Sequence, residues 1–325
     1  MTAADSLRQL PDRALRSTFL TLSRRRGLGR LATRLPVTKS LVARFVAGET
    51  LDEALGALER LRAAGLRTTV DVLGESADSA AAASTAAGTY VDVLDALAER
   101  GLDGNVSLKL TQMGLDVDPG LARENVERIV TRAATHGAFV RIDMEDHSKT
   151  DATLDLWRAV RPFNRASGDT GVVIQAALRR SASDLKAIVA EQGRVRLCKG
   201  AYKEPESVAF VDRAEVDQAY GALMETLLRE GTFPAIATHD ERLIRRAIRF
   251  AREAGIVRDR FEFQMLYGVR RDLQEQLTRA GYGVRVYVPF GTEWYPYFMR
   301  RLAERPANVA FVLRSVLREK RRPGE

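Results

Sequence analysis

Residues 171–202, GVVIQAALRRSASDLKAIVAEQGRVRLCKGAY, decide the fold. Gly171–Gln175 is a short β-branched run, Ser183–Glu191 carries apolar residues at helical spacing, and Val195–Cys198 is a second apolar run. A strand, a helix and another strand in about 30 residues is one βαβ unit. Working outward, the unit recurs. Apolar runs occupy Arg67–Val72, Asn105–Leu110, Phe139–Ile142, Phe233–Ala237, Phe261–Met265 and Val284–Val288 as well. The eight runs start between positions 67 and 284, a mean spacing of 31 residues, and helical patterns such as Ala77–Arg100 and Glu206–Arg229 fill the gaps. Thr50–Leu61 precedes the first run, Trp294–Glu304 follows the last, and Asn308–Glu319 is a further helix. Eight strands, each followed by a helix, predict an α/β fold of the (β/α)8 barrel type. An open doubly wound sheet would carry a G-x-G-x-x-G after its first strand, and none is there.

Charge divides the 325-residue chain into three parts. Its formal net charge is +8, with 51 basic and 43 acidic side chains. Residues 1–45 hold ten bases and two acids and read as a basic helical arm. Residues 314–325 hold five bases and two acids and form a basic tail. The catalytic body, 46–313, is left with 36 bases and 39 acids. A mildly acidic body with basic ends argues against a nucleic-acid enzyme with a positive face. One cysteine, Cys198, excludes a disulfide framework, and the three histidines form no metal-ligand pattern. No apolar run approaches the roughly 20 residues that cross a bilayer, and the N-terminus lacks the apolar core of a secretory signal.

In such barrels chemistry sits at the C-terminal ends of the strands. Those ends carry Asp71 and Glu75, Lys109, Asp143 and Met144, Gln175, Arg196 with Lys199-Gly200-Ala201-Tyr202, Thr238-His239-Asp240, Gln264, and Tyr287. So many polar groups in one crater must pair or bind something, because burying them alone is costly. The mixed charges suit a zwitterion or an anionic cofactor. Arg300 and Arg301 follow the aromatic Trp294, Tyr295 and Tyr297, and paired guanidinium groups suit a carboxylate. The same pair also fits a solvated basic face. Lys199 also fits the charged mouth of a strand, and His239 a hydrogen-bonded core imidazole. Cys198 reads as a packing residue, His147 as solvent-facing, and His136 as closing a helix before Gly137.

The motifs Val70-Asp71-Val72-Leu73-Gly74-Glu75, Val106-Ser107-Leu108-Lys109-Leu110, Arg141-Ile142-Asp143-Met144-Glu145-Asp146, Gln175-Ala176 with Arg179-Arg180, and Arg196-Leu197-Cys198-Lys199-Gly200-Ala201-Tyr202 occur in that order. Ala237-Thr238-His239-Asp240, Phe261–Gly268, Tyr287–Gly291 and Trp294–Glu304 complete the series. Together, over roughly 70–310, they resemble the monofunctional bacterial proline dehydrogenases. The resemblance implies a distorted (β/α)8 barrel with its last helix over the strand ends. It implies FAD as cofactor, oxidation of L-proline to Δ1-pyrroline-5-carboxylate, and a membrane quinone as electron acceptor. It places Arg300, Arg301 and Lys109 on the proline carboxylate, and Asp143 as the partner of Lys109. Tyr287 and Tyr297 would pack on the pyrrolidine ring, and Glu75 with Arg300 would form a gate. Arg196 would reach the flavin N5 region. Met144, Gln175, Lys199, Gly200, Ala201, Thr238 and His239 would line the FAD. The implied location is cytoplasmic, peripheral on the inner face of the membrane, with no nucleic-acid partner. One departure stands out: Ala177 occupies a position where relatives often carry an aromatic residue. It keeps open a related enzyme acting on hydroxyproline or another cyclic amino acid. The basic ends keep open a nucleic-acid or membrane-binding module.

Overall fold

A capping box opens α1 (Leu51–Ala63), the first helix among the described elements. The Thr50 hydroxyl accepts from Glu53 N at 3.3 Å, and the Glu53 carboxylate accepts from Thr50 N at 3.2 Å. The computed structural model describes residues 42–74 and 76–304. The expected basic arm up to residue 41, Glu75, the Asn308–Glu319 helix and the tail 314–325 lie outside the described residues.

The elements after α1 alternate strictly. They are β1 (Arg67–Val72), α2 (Ala80–Glu99), β2 (Asn105–Leu108), α3 (Pro119–Thr135), β3 (Phe139–Ile142), α4 (Thr150–Val160), β4 (Thr170–Gln175) and α5 (Ser181–Ala190). Next come β5 (Val195–Cys198), α6 (Arg213–Glu230), β6 (Ala235–Ala237), α7 (Glu241–Glu253), β7 (Glu262–Leu266), α8 (Arg271–Arg279), β8 (Gly283–Phe290) and α9 (Trp294–Glu304). Each strand pairs in parallel with its sequence neighbour, and β8 pairs with β1 from Arg67↔Arg285 to Val72↔Phe290. The barrel is closed, in the order β1 to β8.

Several boundaries differ from the sequence pattern by a few residues, and three of them show a local reason. β6 starts at Ala235 rather than Phe233, because Phe233 has a φ of 45° and Pro234 has no N–H to give a neighbour. β2 ends at Leu108 because a turn begins there, with Met113 N donating to Lys109 O and Leu115 N to Leu110 O. α6 starts at Arg213 rather than Glu206. Asp212 caps it by accepting from Ala214 N at 2.7 Å.

Strand side chains alternate between two environments. Val70, Val106, Val140, Val172, Leu197, Phe263 and Val286 are buried against the helices. Their neighbours Thr69, Asp71, Ser107, Arg141, Arg196, Glu262, Gln264 and Arg285 are also buried, but they meet one another across the barrel. Most barrels of this class fill that interior with bulky branched residues. Here it is polar and charged, and it needs room. Gly171 on β4 provides some. A Cβ there would lie 2.5 Å from both Arg141 Nη1 and Arg194 O, and 2.7 Å from the Phe139 ring.

A second, smaller apolar cluster seats α9, the last helix among the described residues. Val42, Phe45, Val46 and Leu73 pack with Trp294, Tyr297, Phe298 and Met299 of α9. Backbone bonds reinforce it: Ala47 N to Pro289 O at 2.8 Å and Gly291 N to Gly48 O at 3.0 Å. Trp294 Nε1 donates to Glu49 Oε1 at 2.9 Å.

Gly171→Ala should destabilise the barrel by about 1–3 kcal/mol through overpacking of Arg141. The expected readout is a lower urea midpoint at unchanged slope.

Candidate active site

The crater is built around Arg196. From β5 its side chain crosses the barrel and makes three hydrogen bonds. Nη1 donates to Asp143 Oδ1 at 2.7 Å, Nη2 to Ser107 Oγ at 2.8 Å, and Nε to Gln264 Oε1 at 2.5 Å. The guanidinium also sits 5.2 Å from the centre of the Tyr287 ring. Tyr287 donates its hydroxyl to Asp143 Oδ2 at 2.9 Å. Burial, with Asp143 and Asp71 nearby, pushes the Tyr287 phenol well above its ordinary pKa, so it stays a donor. Asp143 is thus held by a cation on one oxygen and a phenol on the other.

That arrangement corrects one expectation. Asp143 does not pair with Lys109. Lys109 Nζ bonds Asp71 Oδ1 at 3.1 Å instead. The register explains it: Asp71 lies opposite Ser107, so Lys109, two residues further on the same face, overhangs the end of β1. Burial opposes the Lys109 charge, but Asp71 and then Asp143 outweigh it and raise the pKa. The ammonium is fixed as a cation at the rim.

The other half of the rim carries Gln175, Gly200, Ala201, Thr238 and His239. Gln175 Nε2 donates to Glu145 O at 2.7 Å, and Glu145 is itself held by Thr111 N and Thr111 Oγ1 at 2.9 and 2.6 Å. Gly200 has a φ of +112°, and a Cβ there would stand 3.2 Å from Gln175 Oε1. The loop therefore needs glycine to bring its backbone against Gln175. His239 Nε2 accepts from Leu266 N at 2.9 Å, which makes it a neutral imidazole protonated on Nδ1. Met144 is buried beside this rim. Lys199 behaves differently from its neighbours. Its ammonium turns to Asp217 on α6 and to Asp240, the latter at 3.2 Å.

Over the crater, α9 carries Tyr297 and Arg301, the guanidinium 5.2 Å from the tyrosine ring. Arg300 is exposed. Its charge acts on Tyr202, whose phenol is pushed up by burial and by Glu145 and Asp143, with Arg300 opposing. Glu75 lies outside the described residues, so the expected gate does too. Among the other histidines, His136 closes α3 as expected and bonds Asp95. His147 does not simply face solvent. Its Nδ1 and backbone N bind Glu204 at 2.5 and 3.0 Å, tying the loop after β3 to the loop after β5. The Cys198 thiol is pushed up to about 12, chiefly by burial, and stays unreactive.

The strand-end reading put Asp71 and Gln264 in the crater without a partner or specific role, and it did not include Ser107. The signal was present as parity: each lies on the inward face of its strand, as Arg196 does.

Closed barrel and crater together define a (β/α)8-barrel enzyme whose rim carries cations, an oriented amide and a close-approaching glycine backbone. The sequence profile of the family described as proline dehydrogenase matches residues 54–314, and the chain belongs to that family of oxidoreductases. The chain is 42% identical over 306 residues to proline dehydrogenase 1 of Bacillus subtilis subsp. natto, covering 94% of this chain and 100% of that protein. It is 40% identical over 311 residues to proline dehydrogenase of Deinococcus radiodurans, covering 94% and 99%. Among solved structures, proline utilization A of Bdellovibrio bacteriovorus, crystallised after inactivation by N-propargylglycine, superposes with a TM-score of 0.76 at 27% identity. The match covers 82% of this chain and 33% of that longer one.

Asp240 supplies a pH test. Burial pushes its carboxyl up, but hydrogen bonds from Arg242 and Lys199 win and bring it down to about 2. A depressed carboxylate adds stability above its unfolded pKa and loses it as pH falls through the folded one. Asp240→Asn keeps the cap on Arg242 N but should cost about 1–2 kcal/mol at pH 7. In urea unfolding, that difference should vanish as pH falls from about 4 towards 2.

Proposed function

We propose that this chain oxidises L-proline to Δ1-pyrroline-5-carboxylate, with FAD as its cofactor and a quinone as the onward acceptor. The arrangement that carries the reading is Arg196 on the crater floor, fixed by Asp143 and stacked on Tyr287. Family membership supplies the substrate, and the crater supplies residues suited to hold both ligands.

The rim fits a flavin dinucleotide in its chemistry. Gly200 permits close backbone approach, Gln175 presents an oriented amide, and Thr238 and His239 add neutral polar groups. Met144 and Ala201 would line the same wall. Lys199 would act through its backbone, since its ammonium is held by Asp217 and Asp240. When bound, FAD supplies a two-electron acceptor for the hydride on the carbon next to the proline nitrogen.

The chain's own residues do the rest. Arg300 and Arg301 on α9, with Lys109 on the rim, take the substrate carboxylate. Lys109 is ready for this because Asp71 fixes it as a cation. Arg196 covers one face of the Tyr287 ring, and the other face, with Tyr297, packs the pyrrolidine ring. Arg196 keeps a further N–H on each Nη, and a cation at that point favours an electron-rich acceptor. Asp143 holds that cation in place. Glu75 with Arg300 closes the site and excludes water.

Among the described residues no helix is long and apolar enough to cross a membrane. Access to a quinone would be peripheral, from the cytoplasmic side, with the basic arm 1–45 drawn to anionic lipid at about 1 kcal/mol per residue.

The purified protein should be yellow, and L-proline added without oxygen should bleach its flavin absorbance. A colourless protein that FAD does not reconstitute would overturn the reading. Arg301→Met should raise the KM for proline about 30- to 100-fold, as expected for losing a charge-assisted pair, with flavin content unchanged. An unaltered KM would remove Arg301 from the carboxylate site.

A further inference from the structure

Arg196 is aimed by a relay that runs down the barrel axis, away from the crater. Its Nε donates to Gln264 Oε1 at 2.5 Å. A glutamine amide accepts at one end only. The other end, Gln264 Nε2, donates to Glu262 Oε1 at 2.6 Å. An ionised carboxylate only accepts, so the amide cannot turn over. Reversal would set two acceptors against each other at Glu262 and two donors against each other at Arg196.

Glu262 is itself fixed. It accepts from Arg285 Nε at 2.7 Å and from Arg67 Nη1 at 3.4 Å, and it is 2% exposed. Burial alone would push its carboxyl up, but Arg285 outweighs that and keeps it ionised. Arg285 is anchored in turn by Thr68 O at 2.6 Å and by Asp103 at the barrel base. Asp103, Arg285, Glu262, Gln264 and Arg196 thus form one line in which each member fixes the next. A merely satisfied polar core would not need this order. Any pairing that met each donor would serve it equally.

We propose that Gln264 and Glu262 are positioning residues for the reaction: Glu262 sets the amide of Gln264, and Gln264 aims the Arg196 guanidinium at the bound cofactor. The proposal rests on the reading of Arg196 above. The effect of both residues passes through Arg196 alone, and that gives the test its form.

The holoenzyme is compared as wild type, Gln264→Met, Glu262→Gln, Arg196→Met and the double variant Arg196→Met with Gln264→Met. Each is read for flavin reduction by proline, for KM, and for the midpoint potential of the bound flavin. Gln264→Met should slow flavin reduction about tenfold, the loss of one hydrogen bond to a charged group, with KM within about threefold. It should also make the potential more negative. Glu262→Gln should move both in the same direction by less, and it carries the comparison if Gln264→Met does not fold. In the Arg196→Met background, Gln264→Met should change rate and potential by less than about twofold, because its route of action is gone. If Arg196→Met is impaired while Gln264→Met matches wild type, the positioning role is overturned and the Arg196 reading survives. Equal Gln264→Met effects in both backgrounds overturn it too. Wild-type behaviour of Arg196→Met removes the Arg196 reading itself, and this proposal with it.

Discussion

A guanidinium buried inside a barrel must be answered on every side, and most of this structure's interior follows from answering Arg196. Taking the ion out of water costs several kcal/mol even after relaxation. Asp143, Ser107 and Gln264 offset that cost, and they come from β2, β7 and the end of β3. Each strand must therefore present a polar atom inward at one level of the barrel. The level below repeats the demand with opposite charge, because Glu262 is as buried as Arg196 and needs Arg285. Arg141 is the least compensated member. Its Nη1 bonds two carbonyl oxygens, its charge stacks 4.6 Å from the Phe139 ring, and burial, then Arg196, pulls its pKa well down. Gly171 makes the space that lets it stay.

The lid depends on the same economy in a different material. Apolar contacts seat α9. Its apolar face rests on Val42, Phe45 and Val46, and its start is pinned by Glu49 through Trp294. That cluster is separate from the barrel core. The rigid floor fixes Arg196 within hydrogen-bond distances, while the roof is seated on a small independent patch.

Much of this was legible beforehand. The βαβ spacing gave the barrel, and the strand ends gave the crater, because both depend on periods that one sequence displays. Pairing inside the crater was harder. Asp143 and Lys109 are neighbours in the list of strand ends, yet partners are chosen by register, and register sets Asp71 beneath Lys109. β6 was read too long because Phe233 and Pro234 look like strand residues until the positive φ at Phe233 is known. His147 looked exposed because Glu204, its partner, lies 57 residues away on another loop. Local chemistry was readable, and contacts between distant loops were not.

The distribution of charge then acquires a reason. The body from 46 to 313 has 36 bases and 39 acids, and its interior cations each sit beside an acid or a ring of carbonyls and aromatics. Such a body projects little long-range field, because paired charges cancel beyond a Debye length of about 8–10 Å. A zwitterion would gain nothing from a strong field, since its two ends are pulled in opposite directions. It gains from short-range order, and on the proposed reading a fixed ammonium and guanidinium groups would take the carboxylate and an aromatic face the ring. The same pairing that hides the cations from solvent also holds them still. A site built for a neutral amino acid is therefore expected to be electrostatically quiet outside and tightly ordered within.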